Sequence, residues 1–309
     1  MKLNILKDTN LQNKLNEQGY VVIDLLNTER IEYLNLIFND LNKNIHQKGM
    51  VIGSLVGEKE YKQLVETKIN DAVKDSLDNL LENYEIFSSS FVYKTPKSIN
   101  DFPPHQDNSM LDENLYASLN IWIPLVDINM HNGPVYVLPS THYKNIKTYR
   151  GPNINYIYLN NFETVYKYAK PIYIKKGQAI ILNHSIIHYS TPNFTNKTRK
   201  AMVVAIKSIN APSLLYYYNK DISKIQIFEM DNNLKYSYDE FHYDKNNTPI
   251  GKITKELDYD NKIWSKQELE HTFTSLLKKE TFLNNNIFLF KIRNIIRRKY
   301  IQILSFLLK

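Results

Sequence analysis

Residues 177–208 read GQAIILNHSIIHYSTPNFTNKTRKAMVVAIKS and include two of the segments that decide the fold. Gln178–Leu182 and Lys200–Ser208 are short and rich in Ile and Val, and Gly177 and Pro192 interrupt the chain near them. Short β-branched runs that are bounded by Gly and Pro are typical of β-strands. We therefore predict that this part of the chain lies in a β-sheet.

Further strands and three helices are predicted on the N-terminal side of this stretch. The strands cover residues 20–23, 84–94, 116–126, 135–138 and 172–174. Apolar residues at helical spacing predict helices near residues 8–19, 28–46 and 58–83. Helices in front and many short strands behind predict an α+β domain with a β-sandwich or jelly-roll core.

The chain changes in character after about residue 210. Residues 211–260 are rich in Tyr, Asp and Asn and have weak periodicity, whereas 264–309 is predicted to form two helices divided by Asn284–Asn286. We therefore divide the chain into a domain of residues 1–210 and a C-terminal extension of residues 211–309, which is helical from about residue 264.

Composition excludes several classes of protein and of site. With 43% hydrophobic residues, 8 Gly and 11 Pro in 309 residues, the chain is neither collagen-like nor disordered. The absence of Cys excludes disulfide scaffolds, thiolate nucleophiles, zinc ribbons and iron–sulfur clusters. Any metal must therefore be held by His, Asp or Glu. The N-terminus lacks the apolar core of a signal peptide and no apolar run is long enough to span a membrane, so we expect a cytoplasmic protein.

The net charge of +7 belongs almost entirely to the C-terminus. Residues 281–309 contain six basic and no acidic side chains, which leaves +1 for residues 1–280. Residues 287–309 predict an amphipathic helix, which either packs on the core with its basic face in solvent, lies on anionic lipid or docks a partner. A peripheral membrane contact through 287–309 is thus one expectation. No basic stripe with interleaved aromatic residues is present in the domain of residues 1–210, so no nucleic-acid partner is expected.

A set of His, Asp and Arg residues predicts a metal site. His105 and Asp107 are two residues apart, so on an extended segment their side chains project from the same face and are able to bind one ion. A His on a later strand, His184 or His188, would complete two imidazoles and one carboxylate, which leave three positions open on an octahedral iron. Arg199 follows, and a buried Arg is able to hold a carboxylate through two parallel hydrogen bonds.

A second His-x-Asp pair serves as a comparison within the same chain. His242 and Asp244 have the same spacing, but only His271 follows them, and Phe282 stands at the position that corresponds to Arg199. This second pair is therefore not expected to bind a metal.

Several motifs in the same order resemble the phytanoyl-CoA dioxygenase-like branch of the iron(II)/2-oxoglutarate-dependent oxygenases. The resemblance runs from Gly19 to about Ser208. Besides His105-x-Asp107, its motifs are Asn120-Ile-Trp122-Ile-Pro-Leu, Asn132-Gly133 leading to Pro139-Ser-Thr-His142, and His188-x-Ser190-x-x-Asn193 with Arg199 eleven residues after the His. The resemblance implies a double-stranded β-helix, a cupin-like jelly roll, with N-terminal helices around it and a partly helical C-terminal extension after it.

The resemblance also implies roles for individual residues. It makes His105, Asp107 and His188 the iron ligands; Ser190, Asn193 and Arg199 are in register only with His188, which leaves His184 as a pocket or surface residue. Carried over from the family, the residues that bind or line the 2-oxoglutarate site are Arg199, Ser190, Gln106, Trp122 and Lys94. The implied cofactors are iron(II), 2-oxoglutarate as cosubstrate and O₂, with ascorbate as a stimulant of turnover.

The implied function is an iron(II)- and 2-oxoglutarate-dependent dioxygenase. We expect it to hydroxylate a small-molecule or carrier-linked biosynthetic intermediate and to release succinate and CO₂. Asp107 favours hydroxylation, because related halogenases have a small residue in place of the carboxylate. The alternative is a non-catalytic jelly-roll binding or sensor protein that retains the metal pocket. Substrate choice is expected to lie in the loops around the mouth, at residues 47–60, 108–116 and 143–170, and in parts of the C-terminal extension.

Overall fold

Three helices alternate with the first two strands in the N-terminal part of the chain. The computed structural model describes residues 4–43, 47–143, 146, 148–151, 153–230, 249 and 252–281. The helices are α1 (Thr9–Gln18), α2 (Thr28–Leu41) and α3 (Lys59–Leu80). The Asp8 carboxylate accepts hydrogen bonds from the backbone N–H groups of Asn10 and Leu11 and so begins α1. Gly19 ends this helix in the left-handed region at φ 80°.

Two of these helices are shorter than predicted. Helix α2 ends at Leu41 rather than His46, because the amide of Asn42 donates to the carbonyl of Phe38 and closes the last turn. Helix α3 ends at Leu80 rather than Asn83, because the next residue, Leu81, is extended and forms a bridge with Leu6. In both places a local backbone contact ends the helix before the apolar pattern does.

Ten strands form the two central sheets. They are β1 (Tyr20–Asp24), β2 (Met50–Ile52), β3 (Tyr84–Lys94), β4 (Phe102–His105), β5 (Ser118–Pro124), β6 (Val135–Leu138), β7 (Lys170–Ile172), β8 (Gln178–Asn183), β9 (Ile187–Ser190) and β10 (Arg199–Ser208). The larger sheet has the order β1-β8-β5-β10-β3-β2 and the smaller sheet has the order β4-β9-β6-β7. Neighbouring strands are antiparallel in both sheets. Strands β2, β4 and β9 and the helix α4 (Phe162–Tyr168) were not predicted.

Packing places the two sheets face to face. Trp122 and Ile180 of the larger sheet belong to one buried cluster with Val135 and Val137 of the smaller sheet. On its other face the larger sheet packs against the helices, in a second cluster that is exemplified by Leu34, Ile69, Val73, Phe91 and Val204. Two facing antiparallel sheets with helices on one outer face confirm the predicted α+β jelly-roll core.

The C-terminal extension contains a small sheet that was not predicted. Its strands are β11 (Leu214–Asn219), β12 (Lys224–Glu229) and β13 (Lys252–Asp258), in the order β11-β12-β13. A helix, α5 (Lys266–Thr281), follows. Leu269 and Phe273 of α5 are fully buried in one cluster with Tyr158 and Tyr168 of the core. The extension therefore packs on the jelly roll.

Three of the predictions for the C-terminal extension concern residues outside those described. They are the second C-terminal helix, its amphipathic segment 287–309 and the absence of a metal at His242 and Asp244. In the part of the chain that is described, no helix combines the length and apolar character that crossing a membrane requires.

Candidate metal centre

Two His residues are brought together by strand pairing in the smaller sheet. His105 at the end of β4 and His188 in β9 are Cα partners across the antiparallel pair. Their ring centroids are 4.1 Å apart. Residues directly opposite each other on adjacent strands present their side chains on the same face. The sheet register alone therefore puts both imidazoles on one side of the pair.

Asp107 completes a group of three possible ligands. Its Oδ1 lies 3.9 Å from Nε2 of His105, and its Oδ2 lies 4.0 Å from Nε2 of His188. One possible ligand atom from each of the three residues lies within 4.8 Å of the other two. Two imidazoles and one carboxylate form the facial donor set that suits divalent iron and leaves coordination positions open. The chemistry of the three side chains therefore fits the metal that the sequence predicts.

Backbone carbonyls orient both imidazoles. Nδ1 of His105 is 2.9 Å from the carbonyl oxygen of Pro103, and Nδ1 of His188 is 3.0 Å from that of Ile186. Because a carbonyl only accepts, Nδ1 carries the proton in each ring and the Nε2 lone pair is available to a metal. Burial, together with the nearby His188, lowers the pKa of His105 to about 3. His105 is therefore neutral, which is the form that binds metals.

The Asp107 carboxylate is oriented by Asn120. Nδ2 of Asn120 on β5 donates a 2.7 Å hydrogen bond to Oδ2 of Asp107. Burial raises the pKa of Asp107, but the adjacent imidazoles and the Asn120 hydrogen bond outweigh it and lower the pKa below its ordinary value. The backbone N–H of Asp107 also donates to the carbonyl of His184 at 2.9 Å. The carboxylate is thus ionised, and Asp107 is held by hydrogen bonds to both its side chain and its backbone.

The three residues open into a cavity of about 620 Å³. Gln106, Trp122, Ser190 and Arg199 line the same cavity. Gln106 donates from Nε2 to the carbonyl of Ser185 at 2.6 Å, while its Oε1 is buried and has no hydrogen-bond partner among the described residues. The structure therefore brings together seven of the eight residues that were predicted to bind the metal or 2-oxoglutarate.

Arg199 is a buried cation whose hydrogen bonds are largely unused. It is the first residue of β10 and is 1% exposed, and its guanidinium lies 5.4 Å from the Trp122 ring. Its Nε and Nη1 are buried and have no hydrogen-bond partner in the described part of the chain. Leaving a charged donor unsatisfied costs more than the roughly 1–3 kcal/mol of a neutral one. A carboxylate in the cavity would accept hydrogen bonds from this guanidinium.

Lys94, the eighth residue, does not line the cavity. Its Nζ donates to the carbonyls of Thr191 at 2.7 Å, Ser190 at 3.2 Å and Asn100 at 3.3 Å. The ammonium has three donors, and three carbonyls accept from it. In this structure Lys94 ties the chain beyond β9 to β3.

His184 is a cavity residue that sequence reasoning placed only as pocket or surface. It is 2% exposed and lines the cavity, which excludes the surface interpretation. Its Nδ1 lies 2.6 Å from Oγ of Ser118, and its buried Nε2 has no partner among the described residues. Sequence reasoning also missed Asn120 as a partner of Asp107, although Asn120 lies two residues before Trp122 in a motif that it used.

Curated relatives match part of the chain. The family model for phytanoyl-CoA dioxygenase (PhyH) matches residues 16–201. A phytanoyl-CoA dioxygenase of Arabidopsis thaliana is 27% identical over 118 residues, which cover 38% of this chain and 42% of that protein. Phytanoyl-CoA dioxygenase domain-containing protein 1 of Danio rerio is 28% identical over 127 residues, which cover 38% of this chain and 43% of that protein. The matched part of the chain thus spans less than half the length of these relatives.

A solved structure has a similar fold. The non-heme alpha ketoglutarate dependent carbocyclase SnoK from nogalamycin biosynthesis superposes with a TM-score of 0.50 at 17% identity, covering 67% of this chain and 86% of that chain. This likeness concerns the fold and agrees with the two facing sheets. The family match spans more than half of the 309 residues and includes all three possible metal ligands and Arg199. By this match the chain belongs to the phytanoyl-CoA dioxygenase family.

Proposed function

We propose that this protein is an iron(II)- and 2-oxoglutarate-dependent dioxygenase that hydroxylates a small-molecule or carrier-linked biosynthetic intermediate. The observation that carries the proposal is the presence of two complementary features in one cavity. One is the group formed by His105, Asp107 and His188, and the other is the buried Arg199 with two unsatisfied nitrogen atoms. A metal explains the first feature, and a carboxylate-bearing cosubstrate explains the second.

His105, Asp107 and His188 hold the metal in this proposal. When bound together, iron(II), 2-oxoglutarate and O₂ supply the oxidation of a substrate C–H bond, with release of succinate and CO₂. Two neutral imidazoles and one carboxylate leave a divalent ion with a net charge of +1, which favours a dianionic ligand over a neutral one. The carboxylate of Asp107 occupies a ligand position and supports hydroxylation as the outcome.

Arg199 binds the carboxylate of 2-oxoglutarate that lies away from the metal. Its Nε and Nη1 are unpartnered among the described residues, and Nη2, whose contact with Sδ of Met50 is long at 3.9 Å, forms a parallel pair of donors with either of them; the Trp122 ring lies beside the guanidinium. Ser190 lies on β9 two residues after His188 and lines the same cavity as Arg199. Its hydroxyl supplies a further hydrogen-bond donor to the carboxylate. Gln106 offers its unsatisfied Oε1 to the cavity as an acceptor.

The rest of the cavity supports an uncharged reacting group on the substrate. Its lining contains aliphatic and aromatic side chains together with the hydroxyls of Ser54, Ser88 and Ser90. Arg199 is the one Lys or Arg among the lining residues that the structure describes. Because Arg199 binds 2-oxoglutarate in this proposal, no Lys or Arg side chain among these lining residues is left for the substrate. His184 offers its buried, unsatisfied Nε2 to a hydrogen-bonding group of the substrate.

Succinate production tests the proposal. Purified full-length protein is incubated with iron(II), ascorbate, 2-oxoglutarate and O₂, with and without a metal chelator, and succinate is measured. We expect slow succinate formation that the chelator abolishes and that His188→Ala abolishes too. His131→Ala is the matched control, because His131 lies exposed in a turn and, among the described residues, its backbone N–H donates to Oδ1 of Asn129 and its carbonyl accepts from the N–H of Phe194. Metal-independent succinate formation, or full activity in His188→Ala, would contradict the proposal.

A further inference from the structure

A buried ion pair lies directly behind the backbone of Asp107. The side chains of Arg150 and Glu113 are 1% and 7% exposed. Nη1 of Arg150 donates to Oε2 of Glu113 at 3.0 Å, and Nη2 donates to Oε1. This is the two-pronged pairing of a guanidinium with a carboxylate, which the single ammonium of a Lys does not reproduce.

The other donors of Arg150 hold the chain next to Asp107. Nε of Arg150 donates to the backbone carbonyl of Asp107 at 2.8 Å, and Nη1 donates to that of Thr148 at 2.9 Å. The N–H of Ser109 donates to the carbonyl of Arg150 at 3.0 Å. Since the N–H of Asp107 is bound to His184, both backbone polar groups of Asp107 are held by partners.

Stability alone is a weak explanation for such a pair. Removing two charges from water costs several kcal/mol for each ion, and apolar replacements of buried pairs are often neutral or stabilising. The pair of Lys207 and Glu85 is different, because Glu85 is 39% exposed and keeps much of its hydration. A buried pair that contacts the backbone of a possible metal ligand suggests a role in geometry.

We propose that Arg150 and Glu113 are positioning residues that hold the backbone of Asp107 where its carboxylate binds the metal. The inference rests on the proposed function, which places the metal between His105, Asp107 and His188. Asn120 sets the direction of the carboxylate, whereas the Arg150–Glu113 pair sets the position of the backbone from which the side chain starts. Metal–ligand distances tolerate shifts of only about 0.2 Å, so a displaced backbone weakens binding.

Cobalt(II) binding to the full-length protein tests this inference. The visible absorption of bound cobalt(II) reports the number and arrangement of its ligands. If the Arg150–Glu113 pair served only stability, its loss would leave this spectrum unchanged. The variants are Arg150→Lys, which keeps the charge and loses the two-pronged pairing, and Glu113→Gln, which keeps the shape and loses the charge. We expect cobalt affinity to fall roughly 10–100-fold in both, as it does when partners of metal ligands are removed, and the spectrum to change.

A matched control comes from the second ion pair. Lys207→Met removes an ammonium that contacts Glu85, Ala211 and Ser213 and no possible metal ligand. This variant is expected to lose thermal stability and to keep the cobalt affinity and spectrum of the wild type.

The outcomes separate this inference from the proposed function. Wild-type affinity and spectrum in both variants would overturn the inference. Loss of the fold in both variants under conditions in which the wild type is folded without metal would assign the pair to folding, which also overturns it. A wild-type protein whose cobalt spectrum and affinity match those of His188→Ala would instead contradict the proposed function itself.

Discussion

His105 and His188 are Cα partners on adjacent antiparallel strands, and their ring centroids lie 4.1 Å apart. The pairing of β4 with β9 therefore brings together two of the three proposed ligands. Asp107, two residues after His105, supplies the third. The orientation of each ring follows from a carbonyl two residues before it. The centre thus depends on local geometry at the end of the smaller sheet.

Removal of one imidazole is expected to abolish tight metal binding. In His105→Ala the two remaining side chains provide two donors, and we expect affinity for iron(II) or nickel(II) to fall by more than about 100-fold, since loss of a partner of a ligand already costs roughly 10–100-fold. Isothermal titration calorimetry of the metal-free protein measures this change in metal affinity. Affinity within a factor of two of the wild type would remove His105 from the ligand set.

Arg199 is expected to act on 2-oxoglutarate rather than on the metal. Arg199→Met removes a charge-assisted hydrogen-bonding pair worth about 1.5–3 kcal/mol, which raises the KM for 2-oxoglutarate about 10–100-fold. Arg199→Lys retains the charge, loses the two parallel donors and gives an intermediate KM. Rates of succinate formation across a range of 2-oxoglutarate concentrations measure both. An unchanged KM in Arg199→Met would show that another group holds the cosubstrate.

Lys94 is expected to contribute to stability and not to cosubstrate binding. Lys94→Met leaves three carbonyls without their donor, and the free energy of unfolding is expected to fall by about 1–3 kcal/mol. Urea unfolding measures the stability, and the KM for 2-oxoglutarate is measured beside it. A tenfold rise in KM without loss of stability would instead support the role that the family resemblance implies.

The C-terminal extension is expected to stabilise the jelly roll through α5. Phe273 is fully buried and its ring packs edge-on against Tyr168 at 5.9 Å. Phe273→Ala is expected to cost about 3–5 kcal/mol in unfolding free energy. Leu36→Ala is the control, because Leu36 is 69% exposed and its truncation is expected to cost less than about 0.5 kcal/mol. Equal stability of the two variants would mean that the extension does not support the core.

The sequence reveals those parts of the site that combine a distinctive residue type with a short or regular spacing. His105 and Asp107 are two residues apart, and Arg199 lies a set distance after His188, so their side chains form a pattern that can be recognised. Asn120 and Arg150 carry no such pattern, because each contacts Asp107 through one hydrogen bond that exists only after distant segments pack. Their roles became visible only from the hydrogen bonds to Asp107.

The fold was predictable to a similar extent and for similar reasons. Long strands such as β3 and β10 carry strong β-branched or alternating patterns, whereas β2, β4 and β9 have only three or four residues each. Strand β4 contains Pro103 and Pro104, which ordinarily argue against a strand. The strands β11–β13 were missed because their many Tyr and charged residues give weak alternation. Whether these short segments form strands depends on hydrogen bonding to neighbouring strands.

In the proposed function, His105, Asp107 and His188 bind a metal, and 2-oxoglutarate then binds to that metal. The most direct measurement is an anaerobic titration of the protein with 2-oxoglutarate, with and without iron(II), following the visible charge-transfer band of the iron–2-oxo acid chelate. We expect the band only when iron(II) is present, saturation at one equivalent of 2-oxoglutarate, and no band in His188→Ala. Absence of the band in the wild-type protein, or an equal band in His188→Ala, would contradict this account.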